Sequence, residues 1–198
     1  MHVQTPGKRT LALLDAAPMR DPFDLLPLRQ LVTANGDAVP AFASQPLLDL
    51  LSRPGSFRIV RHGAGGQILA GSGTALAEAR RVLERAYGTC VSFGIPSVHT
   101  YVDPEAGTSM VPILFMRIDA MRSHRAPLQQ VLAECGACTL EIEQRRDRVL
   151  VRAEIELSRT LDVEERIAEA TGGDAHVLSW LVRYQQPAQA ARAQECDA

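Results

Sequence analysis

The stretch from residue 57 to residue 101 constrains the fold most, because its hydrophobic period switches from two to about 3.6 and back again. Phe57-Arg58-Ile59-Val60-Arg61 alternates apolar and basic residues, the pattern of a strand with one buried face. His62-Gly63-Ala64-Gly65-Gly66 then supplies residues that accept positive φ, so a hairpin is expected with Gln67-Ile68-Leu69-Ala70 as its return strand. Gly71-Ser72-Gly73-Thr74 breaks that strand and offers Ser72 or Thr74 as a helix N-cap, whose hydroxyl accepts from an unsatisfied backbone N–H. From Thr74 to Tyr87, Leu76, Ala79, Val82, Leu83, Ala86 and Tyr87 recur at three- and four-residue intervals, while Glu78, Arg80, Arg81, Glu84 and Arg85 fill the other face. Gly88 suits the end of this amphipathic helix, and Thr89-Cys90-Val91-Ser92-Phe93 alternates again before Gly94-Ile95-Pro96 stops it.

The preceding residues complete a unit. Leu28 to Ala34 reads as a strand ended by the turn Asn35-Gly36-Asp37, and Ala43 to Ser52 as a short helix with Pro46 in its first turn. The order strand, helix, strand, strand, helix, strand is that of a ferredoxin-like (βαββαβ) unit. The same order then repeats. Ile113 to Ile118 is a strand, Ala126 to Glu134 a helix ending at Gly136, Cys138–Glu143 and Val149–Ile155 a hairpin around Arg145-Arg146-Asp147, Asp162 to Ala170 a helix, and His176 to Tyr184 a closing strand. The expected class is α+β, with two tandem ferredoxin-like units built on antiparallel sheets. The boundaries are an N-terminal arm over 1–27, in which Leu11 to Leu14 could dock locally, a first unit over 28–102, a polar linker over 103–110, a second unit over 111–186 and a C-terminal tail over 187–198.

Composition narrows the function. No apolar run approaches the ~20 residues of a membrane helix, and the opening residues lack a secretory pattern, so a cytoplasmic protein without membrane contact is expected. The formal charge of −2 excludes a general nucleic-acid binder, and no DNA partner is expected. Cys90, Cys135, Cys138 and Cys196 have no disulfide-framework spacing. Cys135-Gly136-Ala137-Cys138 lacks the second pair that a structural zinc needs, and no metal or cofactor is expected. Gly63 to Gly66 lies between two strands rather than between a strand and a helix, which is wrong for a dinucleotide loop. His99, His124 and His176 are dispersed, and no set of acid, base and nucleophile stands out, so no catalytic residue is assigned. RNA reading by stacked bases is not expected either, because the middle strands lack paired aromatics and Phe57 and Phe93 suit the core.

The concentrated basic set is Arg145, Arg146, Arg148 and Arg152 with Arg117, Arg122 and Arg125. It is either a solvated face neutralised by Glu141, Glu143, Asp147 and Glu154, or a phosphate-contacting patch.

Several of these segments also resemble a family. Phe57 to Val60, Gly66 to Gly73, Ala79 to Gly88 and Phe93-Gly94-Ile95-Pro96-Ser97-Val98-His99-Thr100-Tyr101 are similar to domain III of ribosomal translocase GTPases of the elongation factor G type. Val111-Pro112-Ile113, Arg152 to Leu157, Thr171-Gly172-Gly173 and Arg183-Tyr184 resemble domain V of the same family. In this comparison Gly71, Ser72, Gly73 and Thr74 hold the place of the family's Gly-x-Gly turn, which there continues Glu-Leu-His-Leu-Glu; here Thr74-Ala75-Leu76-Ala77-Glu78 follows. The resemblance implies a ribosomal partner, either ribosomal RNA or ribosomal protein, or a translation factor. It implies neither GTP hydrolysis nor translocation by this chain, which has no Gly-x-x-x-x-Gly-Lys-Ser/Thr loop and no room for the family's domain IV. The expectation is a non-catalytic module, stand-alone or part of a longer factor; the alternative is a ferredoxin-like ligand-sensing or protein-interaction module. The oligomeric state is left open.

Overall fold

The computed structural model describes residues 22–159 and 161–187. The rest of the expected arm and tail, including Leu11 to Leu14 and Cys196, lies outside the described residues. In the first unit, β1 (Leu28–Ala34) leads through a 3-10 turn into α1 (Val39–Phe42) and α2 (Gln45–Leu51). The hairpin β2 (Phe57–His62) and β3 (Gly65–Ala70) follows, then α3 (Gly73–Tyr87) and β4 (Val91–Phe93). The sheet order β2-β3-β1-β4 is antiparallel throughout, and β5 (Ser97–Val98) adds to β1.

The second unit consists of β7 (Ser109–Met121), α4 (Arg125–Glu134), β8 (Cys138–Gln144), β9 (Arg148–Glu156), α5 (Val163–Ala170) and β10 (His176–Gln185). Its sheet order, β10-β7-β9-β8, reproduces that of the first. Both units are therefore ferredoxin-like, each with helices on one face of an antiparallel sheet. Between them β6 (Tyr101–Val102) pairs with the start of β7, so residues 103–108 turn a hairpin rather than span a gap. Strand β7 begins earlier than its alternating core suggests because Met110 and Val111 are themselves buried.

The inner faces follow the period-two expectation. Leu28, Phe57, Ile59, Ile68 and Ala70 meet Leu48 of α2 and Leu76, Ala79 and Leu83 of α3. In the second unit Leu114, Met116, Ile118 and Ala120 of β7 and Val149, Val151, Ala153 and Ile155 of β9 lie under Leu128, Leu132, Val163 and Ile167. Each large aliphatic or aromatic side chain so buried contributes about 1.5–3 kcal/mol. The buried residues of the two units form one connected cluster.

Two local differences from the sequence reading have simple causes, and one open alternative is decided. The helix expected over 43–52 is α2, and a separate short helix, α1, precedes it and turns Ala41 and Phe42 inward onto the sheet. Residues 88–90 make a 3-10 turn before β4, after Gly88 takes φ +55°. Of the two possible caps of α3, Ser72 serves: its Oγ accepts from the N–H of Ala75 at 3.1 Å.

Candidate functional site

Strand alternation sends one side of the second sheet to the helices and leaves the other open. On that open face, register sets the side chains in rows. Leu178, Arg117, Arg152 and Glu141 stand across β10, β7, β9 and β8; Trp180, Phe115 and Glu154 form the next row, and His176, Asp119, Leu150 and Glu143 the row on the other side. Glu141, Glu143 and Glu154 thus lie on the sheet face away from the helices, as their alternation predicts.

The basic set gathers at one end of this sheet. Met121 is opposite Arg148, and the backbone N–H of Arg122 donates to the carbonyl of Asp147 at 2.7 Å, which joins the end of β7 to the β8–β9 turn. That bond brings Arg122 beside the turn of Arg145 and Arg146, and Arg125 follows three residues on, at the start of α4. Arg117 and Arg152 stand farther along the strands, opposite one another. Three of the seven guanidiniums are held by carboxylates. Arg145 Nε donates to Glu143 at 3.0 Å, Arg148 to Asp119, and Arg152 to Glu141. The bond from Arg145 keeps the Glu143 carboxyl below its ordinary pKa. Among the described residues, Arg117, Arg122, Arg125 and Arg146 have no carboxylate in ion-pair range. The neutralised arginines are thus Arg148 and Arg152 on β9 and Arg145 in the β8–β9 turn, while Arg122, Arg125 and Arg146 lie off the strands and Arg117 stands on β7.

Arg117, Asp119, Arg148, His176 and Leu178 line a cavity of about 300 Å³ on the open face. Two guanidiniums face a single carboxylate there, and with Arg148 held by Asp119 the Arg117 guanidinium leaves the cavity with an excess positive charge. Beside it, Trp180 and Phe115 hold their ring centroids 4.6 Å apart with planes inclined by 33°. Trp180 is 48% exposed. The sequence reading missed this pair because Phe115 is on a middle strand and its partner comes from an edge strand; only pairing between β7 and β10 joins them.

The Gly71-Ser72-Gly73-Thr74 turn is placed differently, at the contact between the units. Glu164, in the first turn of α5, reaches the start of α3, where Thr74 donates to its Oε2 through both N–H (2.9 Å) and Oγ1 (2.6 Å). Its other oxygen accepts from the Ser179 hydroxyl of β10. The carboxylate satisfies a free N–H at the positive end of the helix dipole. A cavity of about 450 Å³ opens beside this bond, with Arg80 and Arg81 on the α3 side and Asp162 and Glu165 on the α5 side. A second tie lies elsewhere in the junction. The Tyr184 hydroxyl donates to the Asp24 carbonyl at 2.9 Å, and His99 Nε2 lies 3.1 Å from the Asp24 carboxylate. Burial pushes the Tyr184 phenol above its ordinary pKa.

The remaining sequence candidates stay dispersed. His124 ends a 3-10 turn, Cys135 is buried beneath Arg166, whose Nη1 is 3.2 Å from its Sγ, and Cys138 is exposed at the start of β8. Among the described residues no group of three or more His, Cys, Asp or Glu side chains is placed to hold a metal ion. No described helix is long and apolar enough to cross a membrane.

No protein-family model matches this sequence, and no curated protein is significantly similar to it. Among solved structures, the fold is similar to the crystal structure of a protein from Thermus thermophilus, with a TM-score of 0.55 and 14% identity. The superposition covers 80% of this chain and 40% of that one, so the chain spans well under half of its neighbour's length. At this identity the likeness is one of fold.

Proposed function

We propose that this chain is a non-catalytic module that docks on the ribosome or on a translation factor, in the manner of the C-terminal part of elongation factor G. The observation that carries the reading is the placement of Arg122 beside Arg146 at the end of the second sheet, held by the bond from Arg122 to Asp147, with neither guanidinium cancelled by a carboxylate among the described residues. Unpaired guanidiniums at a strand end offer planar, bidentate contacts to phosphate oxygens. The tandem βαββαβ order and the segments similar to domains III and V support the same reading. In this proposal the chain contributes binding and orientation, and any nucleotide hydrolysis belongs to a separate domain or chain.

The test is co-sedimentation of the full chain with ribosomes across a salt series, comparing the natural protein with an Arg122→Glu/Arg146→Glu variant. Binding is expected to weaken with salt, and the log–log slope to become shallower by roughly 0.7–0.9 for each phosphate that the variant no longer neutralises. Equal affinity and equal slope for the two proteins would count against the reading.

The second reading, a ligand-sensing or protein-interaction module, is favoured by a different observation: the 450 Å³ cavity between α3 and α5, whose lining joins both units. A small ligand held there would bind with an affinity indifferent to salt and would alter the contact of Glu164 with Thr74.

A further inference from the structure

We propose that the open face of the second sheet binds an unpaired nucleotide of single-stranded RNA, with its base stacked on the outer face of Trp180, which Phe115 backs, and its phosphate on Arg117. This rests on the reading of the chain as an RNA-docking module, and it names the kind of RNA this face takes.

The geometry supplies both halves of the contact. Trp180 and Phe115 are neighbours in one cross-strand row, in ring contact, and Trp180 keeps its outer surface in solvent. A half-exposed aromatic pair offers a π-face to a base whatever its sequence. Arg117 stands two residues along β7 from Phe115, about 7 Å at the usual strand rise, a distance that one nucleotide bridges. The 300 Å³ cavity at Arg117 is also lined by Asp119, Arg148 and His176; Arg148 and Asp119 offset one another, so Arg117 supplies the charge for the phosphate.

The acidic side chains near the shelf are already engaged. Glu154 is held by both terminal nitrogens of Arg183 at 2.8 and 2.7 Å, Glu141 by Arg152, and Asp119 by Arg148. Arg117 is left as the uncommitted charge of the two rows. The exposed large apolar side chains here are Trp180 and Leu178, with Met121 at the end of β7 and Val182 farther along β10, and ion pairs stand among them, a surface small for a protein partner that must cover roughly 800 Å² per side. A free small molecule would be covered on one side only by a sheet, whereas pockets for such ligands enclose most of their surface. A base tethered in a strand needs no such enclosure, and a duplex keeps its bases stacked inside and out of reach of the rings.

The chain has a single tryptophan, so its emission reports the shelf directly. Titration with a single-stranded RNA decamer is expected to quench Trp180 saturably, while the same decamer annealed to its complement quenches little. Arg117→Glu, an exposed position that leaves the core untouched, should raise Kd at least about ten-fold, and Phe115→Leu should do the same while keeping an apolar side chain against the sheet. Absence of quenching by the single strand, equal quenching by the duplex, or an Arg117→Glu protein that binds as the natural one does would overturn the proposal. Ribosome co-sedimentation, run in parallel, separates it from the reading on which it rests. Ribosome binding without quenching sinks the stacking contact alone, quenching without ribosome binding sinks the ribosomal reading alone, and loss of both sinks both.

Discussion

Gly65 and Gly66 show how one missing methyl group lets the first sheet close. A Cβ on Gly65 would lie 2.3 Å from the carbonyl oxygen of Val32, and one on Gly66 would meet the Phe42 ring at 2.6 Å. Neither neighbour has room to retreat, since one is backbone of the paired strand and the other is a buried ring. Gly65→Ala should therefore destabilise the protein by about 1–3 kcal/mol, the usual cost of overpacking. Chemical denaturation checks this, with Gly63→Ala as the informative comparison. At Gly63 a Cβ meets nothing within 4 Å, but φ is +57°, so that variant should lose only the smaller cost of left-handed backbone, about 1 kcal/mol. The sequence already marked both positions as turn residues; which of them faces a carbonyl depends on the pairing of β3 with β1.

Strand β10 is an edge strand held to the sheet by more than its ladder. Its register shifts between Leu181 and Arg183, and beyond that irregularity Arg183 reaches over β7 to Glu154 of β9 with two parallel hydrogen bonds. The pairing with Arg183 holds the Glu154 carboxyl below its ordinary pKa, against the opposing effect of partial burial. A carboxylate whose pKa is depressed on folding stabilises the protein above its unfolded-state pKa, and that contribution disappears as pH falls through the folded value. The stability of the natural protein should fall as pH drops below ~4.3, and Glu154→Gln should be weaker by about 1 kcal/mol at neutral pH and show less of that acid-induced loss. Thermal melts at pH 7 and pH 3 for the two proteins provide the comparison. A pH dependence of the same size in both would exclude the ion pair as a source of acid sensitivity. Glu154 is recognisable from alternation as an outward residue, but its partner is separated from it by a whole helix and becomes visible only when β10 takes its place beside β7.

The two units meet through side-chain bonds as well as through the shared buried cluster. Glu164 of α5 caps α3 through Thr74, and Tyr184 of β10 bonds to the Asp24 carbonyl. Replacing Glu164 with Ala removes both bonds to Thr74 and the one from the Ser179 hydroxyl, and returns one N–H of α3 to water, at a cost of about 0.5–2 kcal/mol; Gln, which retains an acceptor oxygen, should recover part of it. Amide exchange should locate the effect, with faster exchange in the first turn of α3 and unchanged protection in β7 and β9. Exchange that quickens uniformly across both units would mean that Glu164 supports global stability rather than the contact between them.

The βαββαβ order of each unit was legible from the chain alone, though not the short α1, β5 and β6, because alternation at period two, recurrence at three and four residues, and Gly, Pro or Asn punctuation are local properties that local energetics decide. Leu114-Phe115-Met116-Arg117 announces a strand with an inner and an outer face, and Ala79-Arg80-Arg81-Val82-Leu83 announces a half-buried helix, wherever they are placed. The basic set was legible as composition but not as a site. Which arginines stay unpaired follows from cross-strand register, which sets Arg152 against Glu141 and Arg148 near Asp119 while giving Arg117 no carboxylate partner among the described residues. The same holds for the ring pair of Phe115 and Trp180 and for the cap that Glu164 gives to α3. Each joins residues from distant parts of the chain, and such contacts arise only after the two sheets have formed and packed, since no local preference favours one distant partner over another.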